Sequence, residues 1–155
     1  MDLIAHFVFG LWLFKKSGNV WSIALSCVLD IDHILGYIYD KRKKRYIEIP
    51  SILHLAYRPR SWLHSITGAL ISALPFVFFL PMHIVLISLF SHLFFDLLDR
   101  NGILLFPPLL KKKIKGALPV GYLIEDPEYL KRHRRSHIPS LILIVLFSLF
   151  IVFGI

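Results

Sequence analysis

The stretch SHLFFDLLD, residues 91–99, sets one histidine and two acids into a run that is otherwise apolar. Helical spacing places His92, Asp96 and Asp99 at i, i+4 and i+7, along a single stripe. At the centre of a spanning helix each charged residue costs about 2.5–3.5 kcal/mol. The stripe therefore demands compensating groups, and these must come from elsewhere in the chain.

Working outward, this stretch closes the apolar block Met82–Leu98, one of five. The others are Leu3–Phe14, Val20–Tyr39, Trp62–Leu80 and Ile138–Ile155. All but the first reach roughly the length of a spanning helix, the fourth only just. Pro81 permits only a tight turn between the third and fourth blocks, and Pro75 is placed to kink the third. The fold predicted from this pattern is all-α: a polytopic transmembrane helical bundle of about five membrane helices, forming one domain over residues 1–155.

The chain is 56% hydrophobic yet carries a net charge of +8. Its basic residues punctuate the apolar blocks: Lys41–Arg45, Arg58 and Arg60 after the second, Lys111–Lys113, Lys115, Lys131, Arg132, Arg134 and Arg135 after the fourth. That clustering fits membrane topology signals rather than a nucleic-acid footprint. The expectation is a multi-pass cell (inner) membrane protein with a cytoplasmic N-terminus. Lys15 and Lys16 fall on the outer side as a minor violation. The single cysteine, Cys27, cannot form an internal disulfide. MDLIAHFVFG lacks the basic region and cleavage site of a signal peptide and reads as part of the mature protein.

In that frame His6, the Asp30–Asp32–His33 group, His64 and the His92–Asp96–Asp99 stripe all fall at one depth beneath the cytoplasmic face. Convergence of imidazoles and carboxylates from four blocks predicts bound cations. His92-x-x-x-Asp96 is a helical two-ligand spacing, and this N/O set suits zinc, manganese or iron; its bland counterpart is a hydrogen-bonded pair joining helices. In VLDIDHILG, Asp30 and His33 share a helical face, so one acid ligates and the other orients a ligand or handles protons. His64 in PRSWLHS is a further ligand, and Arg60 a phosphate fork or a snorkelling interface residue. His133 and His137 form a further helical pair, read more plainly as part of a basic flank.

These motifs, in this order, resemble the YdjM-like (LexA-binding, inner-membrane-associated) family of metal-dependent hydrolases: an N-terminal histidine, D-x-D-H, R-x-x-x-H-S, and S-H-x-x-x-D before a loop bearing Gly102, Pro107 and Pro108. The resemblance covers residues 1–110, and that family is similar to the zinc-dependent phospholipase C and nuclease superfamily. The chain departs from the family pattern at Pro59, where a histidine is usual, and at Leu63, where a threonine is. By this resemblance His64, His92, Asp96 and one acid of the D-x-D-H motif would hold one metal, with Asp96 bridging to a second held by His6.

The predicted function is hydrolysis of a phosphoester in a membrane lipid or isoprenoid-linked substrate. Its cofactor would be a divalent metal, zinc first, with manganese or magnesium as alternatives and two ions the expected number. Asp32, Asp30 or Asp99 would act as general base, Arg60 would hold phosphate, and the Lys111–Lys115 run would meet anionic lipid headgroups. Competing readings are a divalent-cation or proton transporter and a non-catalytic membrane protein glued by polar contacts.

Overall fold

The computed structural model describes residues 2–33, 61–123 and 127–155, apart from the Lys111 side chain. Helix α1 spans Leu3–Ser17. Asp2 caps it by accepting the Ile4 N–H at 3.1 Å, and its other carboxylate oxygen accepts the Leu123 N–H at 2.7 Å. At the far end Gly18, at φ 69°, returns its N–H to the Phe14 carbonyl, the left-handed cap that glycine adopts without strain. Helix α2, Trp21–Cys27, runs into a 3-10 turn, Val28–Asp30, and residues 31–33 are again helical.

Helix α3, Ile66–Ala73, starts at Ser65, whose Oγ accepts the Gly68 N–H at 2.9 Å. Helix α4 is Met82–Leu98. An antiparallel hairpin follows, β1 (Ile103–Phe106) with β2 (Leu110–Ile114), in the register Ile103↔Ile114 and Leu104↔Lys113. Gly102 opens it at φ 61°, where a Cβ would run into the Ile114 carbonyl. Two further helices complete the chain, α5 (Pro127–Arg132) and α6 (Ile138–Phe153).

Two cores hold these elements. Leu25, Leu29, Ala69, Ala73, Val85, Leu89, Leu93 and Ile103 join α2, α3, α4 and β1. Ala5, Phe9, Leu13, Phe95, Val120 and Phe147 join α1, α4 and α6, with Phe9 meeting Phe95 and Phe147 edge to face. The ionisable residues lie where α1, α2 and α4 come together between these cores. α1 packs closely on α2 because residue 10 is glycine: a Cβ there would stand 2.9 Å from Ile23 Cα and 3.1 Å from Ser26 Cβ. Gly10→Ala is accordingly expected to destabilise the fold by about 1–3 kcal/mol. Denaturant unfolding checks this, and an unchanged midpoint would show that the helices have room to part.

The predicted transmembrane bundle is overturned. Among the described residues no helix is long and apolar enough to cross a membrane, and the chain, though mostly helical, carries a two-stranded sheet. The expected inner-membrane, multi-pass placement with its cytoplasmic N-terminus is corrected by the same finding. The physical reasons are local. The block Trp62–Leu80 is helical only from Ile66 to Ala73, since Pro75 has no N–H with which to continue the helix hydrogen bonds. The block Val20–Tyr39 tightens into the 3-10 turn at Val28. Helix α4 has the boundaries read from sequence, but its 17 residues extend only about 25 Å, short of the ~30 Å of a hydrocarbon layer.

Candidate metal centre

Each ionisable group reaches the centre for a local reason. His6 follows the α1 cap by one turn and points inward beside Ala5 and Phe9. The 3-10 turn reorients the chain so that Asp30, Asp32 and His33 are carried in together. His64 immediately precedes the α3 cap, held in a bend by its own N–H on the Ser61 carbonyl at 3.2 Å. His92 and Asp96 project from α4 one turn apart. His6, His64, His92 and Asp96 are each no more than 1% exposed.

The donor atoms form a ring. His64 Nε2 lies 3.3 Å from Asp30 Oδ1 and 3.5 Å from Asp96 Oδ2. His92 Nε2 lies 3.7 Å from that same Asp30 oxygen and 3.5 Å from that same Asp96 oxygen. Two imidazole nitrogens and two carboxylate oxygens thus alternate, and the spacings are those of donors around one cation with bonds of about 2.0–2.3 Å. The second Asp96 oxygen, Oδ1, faces His6 Nε2 at 3.4 Å. His33 Nε2 lies 3.9 Å from Asp30 Oδ1. Two three-residue groups, His6–His92–Asp96 and Asp30–His33–His64, each bring their donor atoms within 4.8 Å of one another. The buried groups can therefore hold a metal ion.

The surrounding contacts orient these donors. His92 Nδ1 donates to the Ser26 carbonyl at 2.7 Å, which turns its Nε2 lone pair to the centre. His64 Nδ1 pairs with Asp32 Oδ2 at 3.0 Å, and the Ser61 N–H donates to the same oxygen at 3.0 Å. A carboxylate behind a ligating imidazole is the usual outer support of a metal site.

Several buried polar atoms have no hydrogen-bond partner among the described residues: both ring nitrogens of His6, His92 Nε2, Asp30 Oδ2 and Asp32 Oδ1. Each such atom costs about 1–3 kcal/mol when left unsatisfied, and one of them, His92 Nε2, belongs to the donor ring, where a cation would satisfy it. Burial, aided by the neighbouring His92, pushes His6 down to about 3, and it sits neutral, stacked on the His92 ring at 3.7 Å. Burial alone would raise Asp30, but His92 and the hydrogen bond from His64 overcome it and hold the acid below its usual range. Asp32 is also lowered: burial opposes this, and the His64 and Ser61 hydrogen bonds prevail. Burial disfavours charge on His64 too, yet hydrogen bonds to Asp30 and Asp32 lift it to about 9. In the metal-free chain His64 supplies the positive charge that the acids require.

Of the residues singled out by sequence, His6, Asp30, His33, His64, His92 and Asp96 meet, with Asp32 directly behind His64. Asp99 stands just past α4, which ends at Leu98, and its backbone is extended at φ −75°, ψ 147°. Its Oδ1 accepts the Asn101 N–H at 3.2 Å, and the two three-residue groups do not include it. Arg60 and Pro59 lie outside the described residues. His133 stacks on Tyr129 at 3.9 Å, and neither it nor His137 belongs to the two ligand groups. Sequence reasoning missed the Ser26 carbonyl and the Ser61 N–H, since a backbone group carries no residue signature.

Replacing Asp32 by asparagine is expected to weaken metal binding about 10–100-fold while leaving the ligand ring intact. Competition against a metallochromic chelator measures this, and an unchanged affinity would remove Asp32 from its supporting role.

Fold and site together define a small, mostly helical protein with a buried His–Asp centre able to hold metal. No family model matches the chain, and comparison with curated proteins and with solved structures found no match.

Proposed function

We propose that the chain is a metal-dependent hydrolase of phosphoesters, using two divalent cations, with zinc the first candidate and manganese or magnesium the alternatives. The single observation that carries this reading is Asp96: one oxygen faces His64 and His92, the other faces His6. A carboxylate with ligand partners on both sides is suited to bridging two ions. Their contribution when bound would be to make water a nucleophile near neutral pH and to offset charge on a phosphoryl oxygen.

The chain's own residues have separable tasks. Asp30, His64, His92 and Asp96 would hold one ion, and His6 with Asp96 the other. The Ser26 carbonyl and Asp32 fix the two imidazole orientations. Asp32 Oδ1, buried and without a hydrogen-bond partner among the described residues, would accept a proton from water, because the other oxygen is already occupied. Burial of the centre between two apolar cores limits competing water. Arg60 would hold the phosphate. The ordered motifs support the likeness to the YdjM-like hydrolases as part of this same proposal.

The substrate class we favour carries a long apolar group, a lipid or isoprenoid phosphoester. Leu3, Ile4 and Phe7 on α1, Trp62 just before α3 and Phe94 on α4 are exposed, each by more than 40%, so the segments that carry the ligands also present apolar surface. The test is elemental analysis of purified protein, followed by assays on chromogenic phosphomonoesters and phosphodiesters and on lipid phosphoesters. Turnover that requires metal and disappears in Asp32→Asn is the expected result. Metal-loaded protein that cleaves none of these substrates would overturn the proposal.

A further inference from the structure

The β1–β2 hairpin is built differently from the rest of the surface. Its tip, residues 107–109, leaves Leu109 93% exposed, with Phe106 and Leu110 also exposed beside it. Residues 102–123 contain four lysines, Lys111, Lys112, Lys113 and Lys115, and no acid. Lys112 and Lys115 are exposed, as are Lys131, Arg132 and Arg134 farther along the chain. A soluble protein partner could match either property separately. An apolar tip with cations along its strand matches one layered surface, in which anionic groups overlie hydrocarbon.

The base of the hairpin is fixed to the metal centre. Leu104 bridges to Ser65, the residue after His64. The N–H groups of Gly102 and Gly116 both donate to the Asp99 carbonyl at 2.9 Å, and the Leu118 N–H donates to the Leu98 carbonyl at 2.9 Å, clamping both strands to the end of α4 beyond Asp96. At about 3.3 Å per residue, Leu109 stands no more than ~17 Å from Leu104. Whatever surface the tip touches is therefore held close to His64.

From this we infer that the hairpin is a docking finger for the surface of an anionic phospholipid bilayer, with Leu109 and its apolar neighbours entering the interface and Lys112 and Lys115 contacting phosphate headgroups. The inference rests on the proposed function, whose phosphoester it identifies as one presented at a lipid surface. The contact is peripheral and crosses nothing.

The experiment is co-sedimentation of the metal-loaded protein with vesicles of phosphatidylcholine alone or mixed with phosphatidylglycerol. Wild type should prefer the mixed vesicles and lose that preference as salt rises. The double variant Lys112→Gln/Lys115→Gln should bind the mixed vesicles about 25-fold more weakly, at roughly fivefold per lysine. Leu109→Asp should weaken binding to both vesicle types. All variants should keep the wild-type metal content and melting temperature, because Leu109, Lys112 and Lys115 are exposed. Equal binding to the two vesicle types, or variants that bind like wild type, would overturn the inference and point to the other exposed apolar side chains. Vesicle binding is read without turnover. Binding with these dependences but no hydrolysis of any substrate would refute the hydrolase reading alone, whereas hydrolysis of a soluble phosphoester without them would refute only the docking finger.

Discussion

Asp96→Asn is expected to strip the chain of its metal. Wild-type protein should carry about two divalent ions per chain, and the variant should bind more than 100-fold more weakly, beyond the roughly 10–100-fold that loss of an outer support brings. Both Asp96 oxygens are committed, one toward His6 and one toward His64 and His92. An asparagine offers one oxygen and replaces the other with an N–H group that repels a cation. The substitution preserves volume, so no cavity forms, and Asp30 and Asp32 remain to hold the His64 charge. Metal loss should therefore appear without gross unfolding. Asp99→Asn is the control: its oxygen accepts the Asn101 N–H in the turn after α4, and this variant should keep its metal. Wild-type stoichiometry in Asp96→Asn, or equal loss in Asp99→Asn, would defeat the bridging assignment. Phosphoester hydrolysis should fall in parallel with metal content.

The site was more legible in the sequence than the fold that carries it. His92 and Asp96 were readable because helical spacing fixes their relation, and α4 has the boundaries its apolar run implies. Asp99 lies one residue past the helix, which stops at Leu98 where the apolar run ends; the stripe drawn through it carried helical spacing one residue too far. Long apolar runs overstated helix length. Hydropathy averages across Pro75 and across Cys27, whereas backbone geometry does not: α3 ends before the proline and α2 gives way to a 3-10 turn. The hairpin was hidden in what reads as a basic loop. Its signal was the two short apolar runs, Ile103–Phe106 and Leu109–Leu110, on either side of Pro107–Pro108, a pattern of strand, turn and strand. The outer supports of the ligands were beyond sequence reading, since the Ser26 carbonyl and Ser61 N–H are identified only by where the backbone passes.

Chelation should lower the melting temperature by about 5–16 °C, and the loss should grow with pH. Metal present at 100 to 1,000 times its dissociation constant stabilises the folded chain by about 2.7–4.1 kcal/mol, and each kcal/mol shifts a domain of this size by about 2–4 °C. The pH dependence follows from His64. Its folded, metal-free value is about 9 against an ordinary 6.5, so its stabilising charge is fully present below pH 6.5 and is lost as pH rises through 9. Asp30 and Asp32 work in the opposite sense. Their values are held below the ordinary 3.8, so their contribution is complete above pH 3.8 and disappears only in acid. Between pH 6.5 and 9 the metal-free chain therefore loses what His64 contributes. The metal-bound chain has already surrendered that proton, because a metal must take the Nε2 lone pair. His6, at about 3, is neutral throughout this interval and releases nothing. Metal uptake at pH 7 should thus expel about one proton, and affinity should rise up to about tenfold per pH unit until it levels near pH 9. Titration calorimetry in buffers of different ionisation enthalpy counts the proton directly. A count of zero at pH 7, with an affinity flat from pH 6.5 to 8.5, would mean that His64 is no ligand and that Asp30 and Asp32 hold it as a permanent cation.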